Sequence, residues 1–226
     1  FLAERSMTGA NIANELGLLA IGAGIGVILN LYIPGKVHLI RTSQRRIESH
    51  MKEILRKMAG QLTTGKGGDA GLADGEPPLS SLLKELDAEL KQGEKSAYED
   101  MENKLLTETR YYLRYMNMRR TQAFVLGRIE GELKHLGELP SQAQPIAELM
   151  ERISGGFHEY NNAVGLLEAL DAVKEAMREQ PLPELREEFE NRAVLFQILL
   201  ELEQFLEIKK EFVEELSAEE IGKFWR

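Results

Sequence analysis

The sequence predicts an all-α protein: one transmembrane helix followed by a cytosolic antiparallel helical bundle. Three observations carry that expectation. The run Leu16–Ile33, LGLLAIGAGIGVILNLYI, contains no charged side chain. Beyond it, apolar residues recur at three- and four-residue intervals almost to the end of the chain. No stretch of useful length alternates apolar and polar residues as a half-buried strand would.

Residues 1–35 are read as the last transmembrane helix of a larger membrane domain. Eighteen helical residues reach about 27 Å, near the roughly 30 Å hydrocarbon core of a bilayer. A buried helix of a globular protein would show a polar stripe, and here Asn30 stands almost alone. The leader before the run has neither the basic start nor the cleavage site of a signal peptide. Ala20 and Gly24, and Gly22 and Gly26, are spaced by four. They line adjacent faces with small residues that let another membrane helix approach, so further spans of the same protein are expected partners. A chain that opens on Phe1 is accordingly read as a piece of a longer, multi-pass protein.

Residues 36–59 form a basic amphipathic helix next to the membrane. Residues 36–66 hold eight Lys/Arg against two acids, a balance of +6. Positive charge close to a span end places it on the cytoplasmic side. Lys36, Arg41, Arg45 and Arg46 are the expected contacts to anionic lipid headgroups. Val37, Ile40, Ile47, Met51, Ile54, Leu55 and Met58 make the apolar stripe.

Residues 60–78, rich in Gly, Thr, Asp and Pro, read as a flexible loop. Residues 79–226 read as the cytosolic bundle, built from helices over 79–91, 97–136, 142–153, a stripe over 163–177, and 184–216. Turns at Gly137–Pro140 and Pro181–Leu182–Pro183 separate them. Short connections between long amphipathic helices favour antiparallel packing, and further copies of the same chain are an optional partner.

Charge and composition exclude several functions. The net charge is −9. With −1 on residues 1–35 and +6 on residues 36–66, residues 67–226 are left with −14, which speaks against a nucleic-acid face. The absence of cysteine removes disulfides, thiolate metal sites and thiol nucleophiles. Two motifs are decoys. Gly22-Ala-Gly24-Ile-Gly26-Val27 lacks both the third glycine position and the βαβ unit of a dinucleotide site. Gly60-Gln-Leu-Thr-Thr-Gly65-Lys66-Gly67 has phosphate-loop spacing but puts Gly67 where the magnesium-binding hydroxyl belongs. His38, His50, His135 and His158 fall in separate segments without ligand spacing. No catalytic, cofactor or metal residues are assigned, and no enzyme is expected.

One cluster has binding character. Arg110 and Arg114 lie four apart on one helical face with Tyr111 and Tyr115 beside them, a combination able to hold an anionic ligand. Weighed against this, Tyr112 and Met116 pack inward while the arginines pair with acidic neighbouring helices.

Two stretches carry a family likeness. Asn14-Glu15-Leu16 through Ile21-Gly22 to Asn30-Leu-Tyr-Ile-Pro34 is the first. The second is Pro181-Leu-Pro183 followed by Arg186-Glu-Glu-Phe189-Glu-Asn191-Arg192 and Phe196. On these the chain resembles the aromatic acid exporter family, in its Gram-positive-type members. The resemblance implies a last membrane helix and a C-terminal helical domain, in a protein that exports aromatic carboxylic acids. It assigns no transport residue within this chain. The rival expectation is a membrane-anchored helical interaction or regulatory module that transports nothing.

Overall fold

The computed structural model describes residues 9–32, 37–64, 77–103 and 108–225. Among these residues there are eight helices and no strand: α1 (Gly9–Tyr32), α2 (Val37–Thr64), α3 (Leu79–Asn103), α4 (Glu108–Leu133), α5 (Ala143–Gly155), α6 (Val164–Arg178), α7 (Arg186–Glu214) and α8 (Ala218–Phe224). The chain divides into two compact units, residues 1–36 and residues 37–226.

The first unit contains α1. Its described side chains run from Ile12 to Val27, and Leu16, Leu18, Leu19, Ile21, Ile25 and Val27 are all exposed. Among the described residues no helix is long and apolar enough to cross a membrane. The all-helical class therefore rests on the structure, and the span rests on the uncharged run in the sequence. Lys36 lies outside the described residues.

In the second unit α2 is the central helix, packed against α3, α4 and α5. Ile40, Ile47, Met51, Ile54, Leu55 and Met58 are wholly buried, as the stripe predicts. The helix does not stop at Ala59. It runs on to Thr64, because Ala59 and Leu62 extend the buried stripe while Gly60 falls on the exposed face. The start of the expected loop over 60–78 is thus helical, and residues 65–76 lie outside the described part.

A second correction concerns Gly93. The sequence suggests a break near it, between helices over 79–91 and 97–136. In the structure α3 passes straight through Gly93, and α4 begins at Glu108. A Cβ at Gly93 would meet Met116 Sδ at 3.1 Å and Ile47 Cδ1 at 3.4 Å. The glycine lets α3 lie close to its neighbours and does not end a helix. Tyr98, which lies at heptad-like spacing from Tyr112 in the sequence, is exposed.

Cross-helix pairs fix the directions. Arg41–Tyr112 and Glu48–Arg119 are both 71 residues apart, so α2 and α4 run parallel. Arg114–Glu215, Gln122–Phe205 and Arg128–Glu201 descend in register, so α4 and α7 run antiparallel. On α7, Leu195, Leu199, Leu202 and Leu206, which with Val213 fall on one helical face in the sequence, are buried. Toward the end of that helix Phe212 takes the inward position and Val213 is half-buried. Helix α8 is an addition to the expected set. Ser217 Oγ accepts from the backbone N–H of Glu220, whose carboxylate accepts from the N–H of Ser217, a capping box that starts the helix.

Candidate functional site

Helix α4 turns an unusual face toward the core. Tyr111, Tyr112, Tyr115, Met116, Arg119 and Gln122 are all buried there. Arg119 is 1 % exposed. Buried at that depth, a guanidinium requires acceptors on several sides. It has them. Its Nη2 donates to Glu48 Oε1 at 3.1 Å and to the Tyr115 hydroxyl at 2.6 Å. Nε donates to the same hydroxyl at 2.9 Å, and Nη1 donates to Gln122 Oε1 at 2.8 Å. The Tyr115 hydroxyl in turn donates to Glu48. Gln122 closes the network by donating to the backbone carbonyl of Phe205 at 2.7 Å. The guanidinium carbon sits 4.1 Å from the Phe157 ring centre, a cation–π contact.

Lys209 of α7 reaches the same place from the other side and is 5 % exposed. Its Nζ donates to the backbone carbonyl of Glu159 at 2.8 Å. The rings of Phe212, Trp225 and Tyr115 lie 5.2, 5.3 and 5.6 Å away. No carboxylate among the described residues comes within ion-pair distance. Burial, then repulsion by Arg119, lowers its pKa to about 7, with Glu48 and Glu159 opposing. The Tyr115 hydroxyl is pushed well above its ordinary range, chiefly by burial. Tyr111 is also raised by burial, and by its hydrogen bond to Glu159 Oε1 at 2.6 Å.

Between Arg119 and Lys209 lies a cavity of about 20 Å³, walled by Ile153, Phe157, Leu166, Phe205 and Leu206 and by the polar side chains of Gln122, His158 and Asn161. The loop from Gly156 to Ala163 forms one side of it. Asn161 holds that loop, donating to the Gly156 carbonyl at 2.6 Å and accepting from the Ala163 N–H at 2.7 Å. Ala163 has φ of 64°, a left-handed conformation that costs an alanine energy. The arrangement sets two buried basic groups beside a small space whose walls are partly apolar and partly polar.

The sequence-predicted residues are placed as follows. Arg110 is exposed. Arg114 is engaged with carboxylates, at 3.4 Å from Glu215 and 3.3 Å from Glu220. Tyr112 and Met116 do pack inward. Arg41 donates to the Tyr112 hydroxyl at 2.9 Å, a bond that raises its pKa, while Arg45 and Arg46 are exposed. Ala20, Gly22 and Gly26 are exposed and Gly24 is half-buried. A Cβ at any of these three glycines would meet nothing within 4 Å. Among the described residues no cluster could hold a metal ion.

Sequence reasoning passes over Lys209, and it places Arg119 at the end of the Arg110–Arg120 cluster without giving it a role. A signal was present: each falls on the inward stripe of its helix. Arg119 follows Tyr112 and Met116, and Lys209 follows Leu202 and Leu206.

Comparison with known proteins gives three findings. A family model described as "Putative aromatic acid exporter C-terminal domain" matches residues 38–210. A Bacillus subtilis (strain 168) protein, the uncharacterized protein YqjA, is 30 % identical over 201 residues. These make up 89 % of this chain, which thus spans 60 % of that relative's length. A solved structure titled as a putative membrane protein from Clostridium difficile 630 superposes with a TM-score of 0.67 at 28 % identity. The match covers 79 % of this chain and 99 % of that one.

Proposed function

This chain belongs to the family described as the putative aromatic acid exporter C-terminal domain, and from that premise we propose that it joins the last membrane helix of an aromatic carboxylate exporter to its cytoplasmic regulatory bundle. One observation supports this reading above the others. The family match begins at residue 38, five residues after the uncharged run Leu16–Ile33 ends. Eighteen uncharged residues span a bilayer core, and a basic segment follows directly.

In this reading α1 is a membrane span of a multi-pass protein. Ala20, Gly22, Gly24 and Gly26 admit neighbouring membrane helices, and Lys36, Arg41, Arg45 and Arg46 meet anionic headgroups on the cytoplasmic side. The translocation path belongs to the other spans, because one helix cannot enclose one. The bundle, built around α2, gates or regulates that path or assembles its copies.

The test is efflux. The parent protein, purified and reconstituted into liposomes, is expected to release preloaded benzoate down an imposed gradient. Folded protein that gives no flux above empty liposomes refutes the exporter reading. The chain lacks cysteine, so single cysteines at Arg46 and at Ser43 can be labelled in intact cells to test orientation. Labelling from outside by an impermeant reagent contradicts the cytoplasmic placement. A second reading, an anchored interaction module, draws on the −14 charge of residues 67–226. It predicts unaltered efflux after deletion of residues 79–216.

A further inference from the structure

The apolar residues of α7 do not all point inward. Leu195, Leu199, Leu202 and Leu206 are buried, while Leu185, Phe189, Phe196 and Leu200 are between 37 and 70 % exposed. The second set is spaced by four, seven and four residues, which puts it on one line along the outer face of the helix. Exposed Ala193 bridges the two phenylalanines. Helix α4 flanks the line on one side, through Arg128 and Glu201, and α6 on the other, through Lys174 and Glu203. With about 200 Å² offered by each whole side chain, the four leave on the order of 400 Å² of apolar surface uncovered. A contiguous patch of that size commonly serves an interface.

The line reads the same from either end. Leu185 and Leu200 are its outer members, Phe189 and Phe196 its inner ones, and both pairs are centred between Arg192 and Ala193. A second α7 laid antiparallel about that centre sets Leu185 against Leu200 and Phe189 against Phe196, twice over by symmetry. Charge agrees with a second copy. Residues 67–226 carry −14, yet beside the line Arg186 is paired with Glu190, Arg192 with Glu188 and Lys174 with Glu203. Two copies therefore meet along neutralised rims, whereas an anionic bilayer would be repelled by the acidic remainder. Covering the line and its rims on both copies removes more than about 1,000 Å² in total, the size a specific pair needs. We propose that the outer face of α7 is a two-fold, antiparallel interface between two copies of this chain. Its purpose, the assembly of exporter copies, rests on the reading above, and the face itself rests on the geometry.

The chain lacks cysteine, so disulfide cross-linking of the full chain in detergent reads the pairing directly. Ala193→Cys lies beside the symmetry axis and should give a covalent dimer on mild oxidation. Leu185→Cys and Leu200→Cys should each self-cross-link at least tenfold less, because the axis leaves each about 22 Å from its own copy. Phe189→Glu added to Ala193→Cys should cut the covalent dimer at least tenfold and leave the bundle's melting curve unchanged. Phe196→Ser supplies a second variant should the first fail to fold. No dimer from Ala193→Cys overturns the proposal, as does equal cross-linking at all three positions, the mark of parallel or random contact. An undiminished dimer in the folded Phe189 or Phe196 variants overturns it too. An Ala193→Cys thiol that resists both oxidation and an added maleimide is covered by its own chain, and one shielded only in anionic liposomes is covered by lipid. Either result overturns the pairing. Benzoate efflux by a parent that fails to cross-link sinks only the interface, and cross-linking without efflux sinks only the exporter.

Discussion

Helices α1 and α2 are consecutive in the chain, similar in length and both rich in aliphatic residues, yet they treat those residues oppositely. On α1, Leu16, Leu18, Leu19, Ile21, Ile25 and Val27 are each more than half exposed. On α2, Ile40, Ile47, Met51, Ile54, Leu55 and Met58 are wholly buried. The difference is arrangement more than amount. The α2 residues fall three, four and seven apart with Arg45, Arg46 and Arg56 between them, so one face meets the bundle and the other meets water. The α1 residues go all the way round, and no single protein surface could cover them. Stripe and belt are therefore two different requests for solvent, made by neighbouring segments of one chain.

The largest predicted effect tests that contrast directly. Ile54→Asp puts an unpaired carboxylate at the centre of the bundle, a loss of at least about 5 kcal/mol. Circular dichroism should show no cooperative unfolding transition for the variant. Leu19→Asp introduces the same charge on α1 and should leave the bundle's melting curve unchanged. If α1 is the membrane span proposed above, it should instead hinder integration of the parent, where a central charge costs about 2.5–3.5 kcal/mol. If Leu19→Asp melts the bundle, the contrast between the two helices fails.

Next in size is the buried pair on α2 and α4. Arg119→Met strands Glu48 beside Tyr115, and breaking one side of such a pair costs about 3–4 kcal/mol. Adding Glu48→Leu should recover most of the loss, because two apolar groups need no counter-charge. Urea denaturation of the single and double variants measures the recovery. A double variant as unstable as the single one would mean that the network, and not the stranded charge, is what matters.

The same comparison shows what the sequence can reveal. The α2 stripe and the Pro181–Leu182–Pro183 turn were legible because periodicity and punctuation are local properties. Gly93 was not. In sequence a glycine between helical segments reads as a break, and only the third dimension shows Met116 and Ile47 occupying the space a Cβ would need. Helix α8 carries its capping box in Ser217 and Glu220 but is too short to show a stripe. Arg119 and Lys209 are the instructive case. Their positions point inward and their chemistry points outward, so the conflict between pattern and residue type marks the candidate site. Arg110 and Arg114 were easier to notice because they sit four apart, and that spacing is available to any solvated face.

Lys209 links the site to pH. Its folded-state pKa, about 7, lies below the ordinary lysine value of 10.5. Below pH 7 both folded and unfolded chains carry the proton, and the cost of burying the charge is felt in full. Between pH 7 and 10.5 the unfolded chain binds a proton that the folded chain does not, so this group's contribution raises stability as pH increases. Lys209→Met removes the titration. The variant should exceed the parent in thermal midpoint at pH 6, and the gap should narrow by pH 9. Melting curves at the two pH values decide it. A gap that widens with pH would contradict the burial of the charge.

The smallest effect belongs to Arg114, five residues from Arg119 on the same helix. It has two carboxylate neighbours where Arg119 has one, and a count of ion pairs would rank it the more important. Burial reverses the ranking. Arg114 is 36 % exposed, and its partner Glu215 more so, so water and salt already screen the attraction that Arg119 feels in the core. Arg114→Ala should cost no more than about 1 kcal/mol in low salt, and the difference should shrink further in 0.5 M sodium chloride, roughly a 4 Å screening length. Urea denaturation at the two ionic strengths measures it. Were Arg114→Ala to destabilise the chain more than Arg119→Met, the number of charged neighbours would govern these helices, and depth in the core would not.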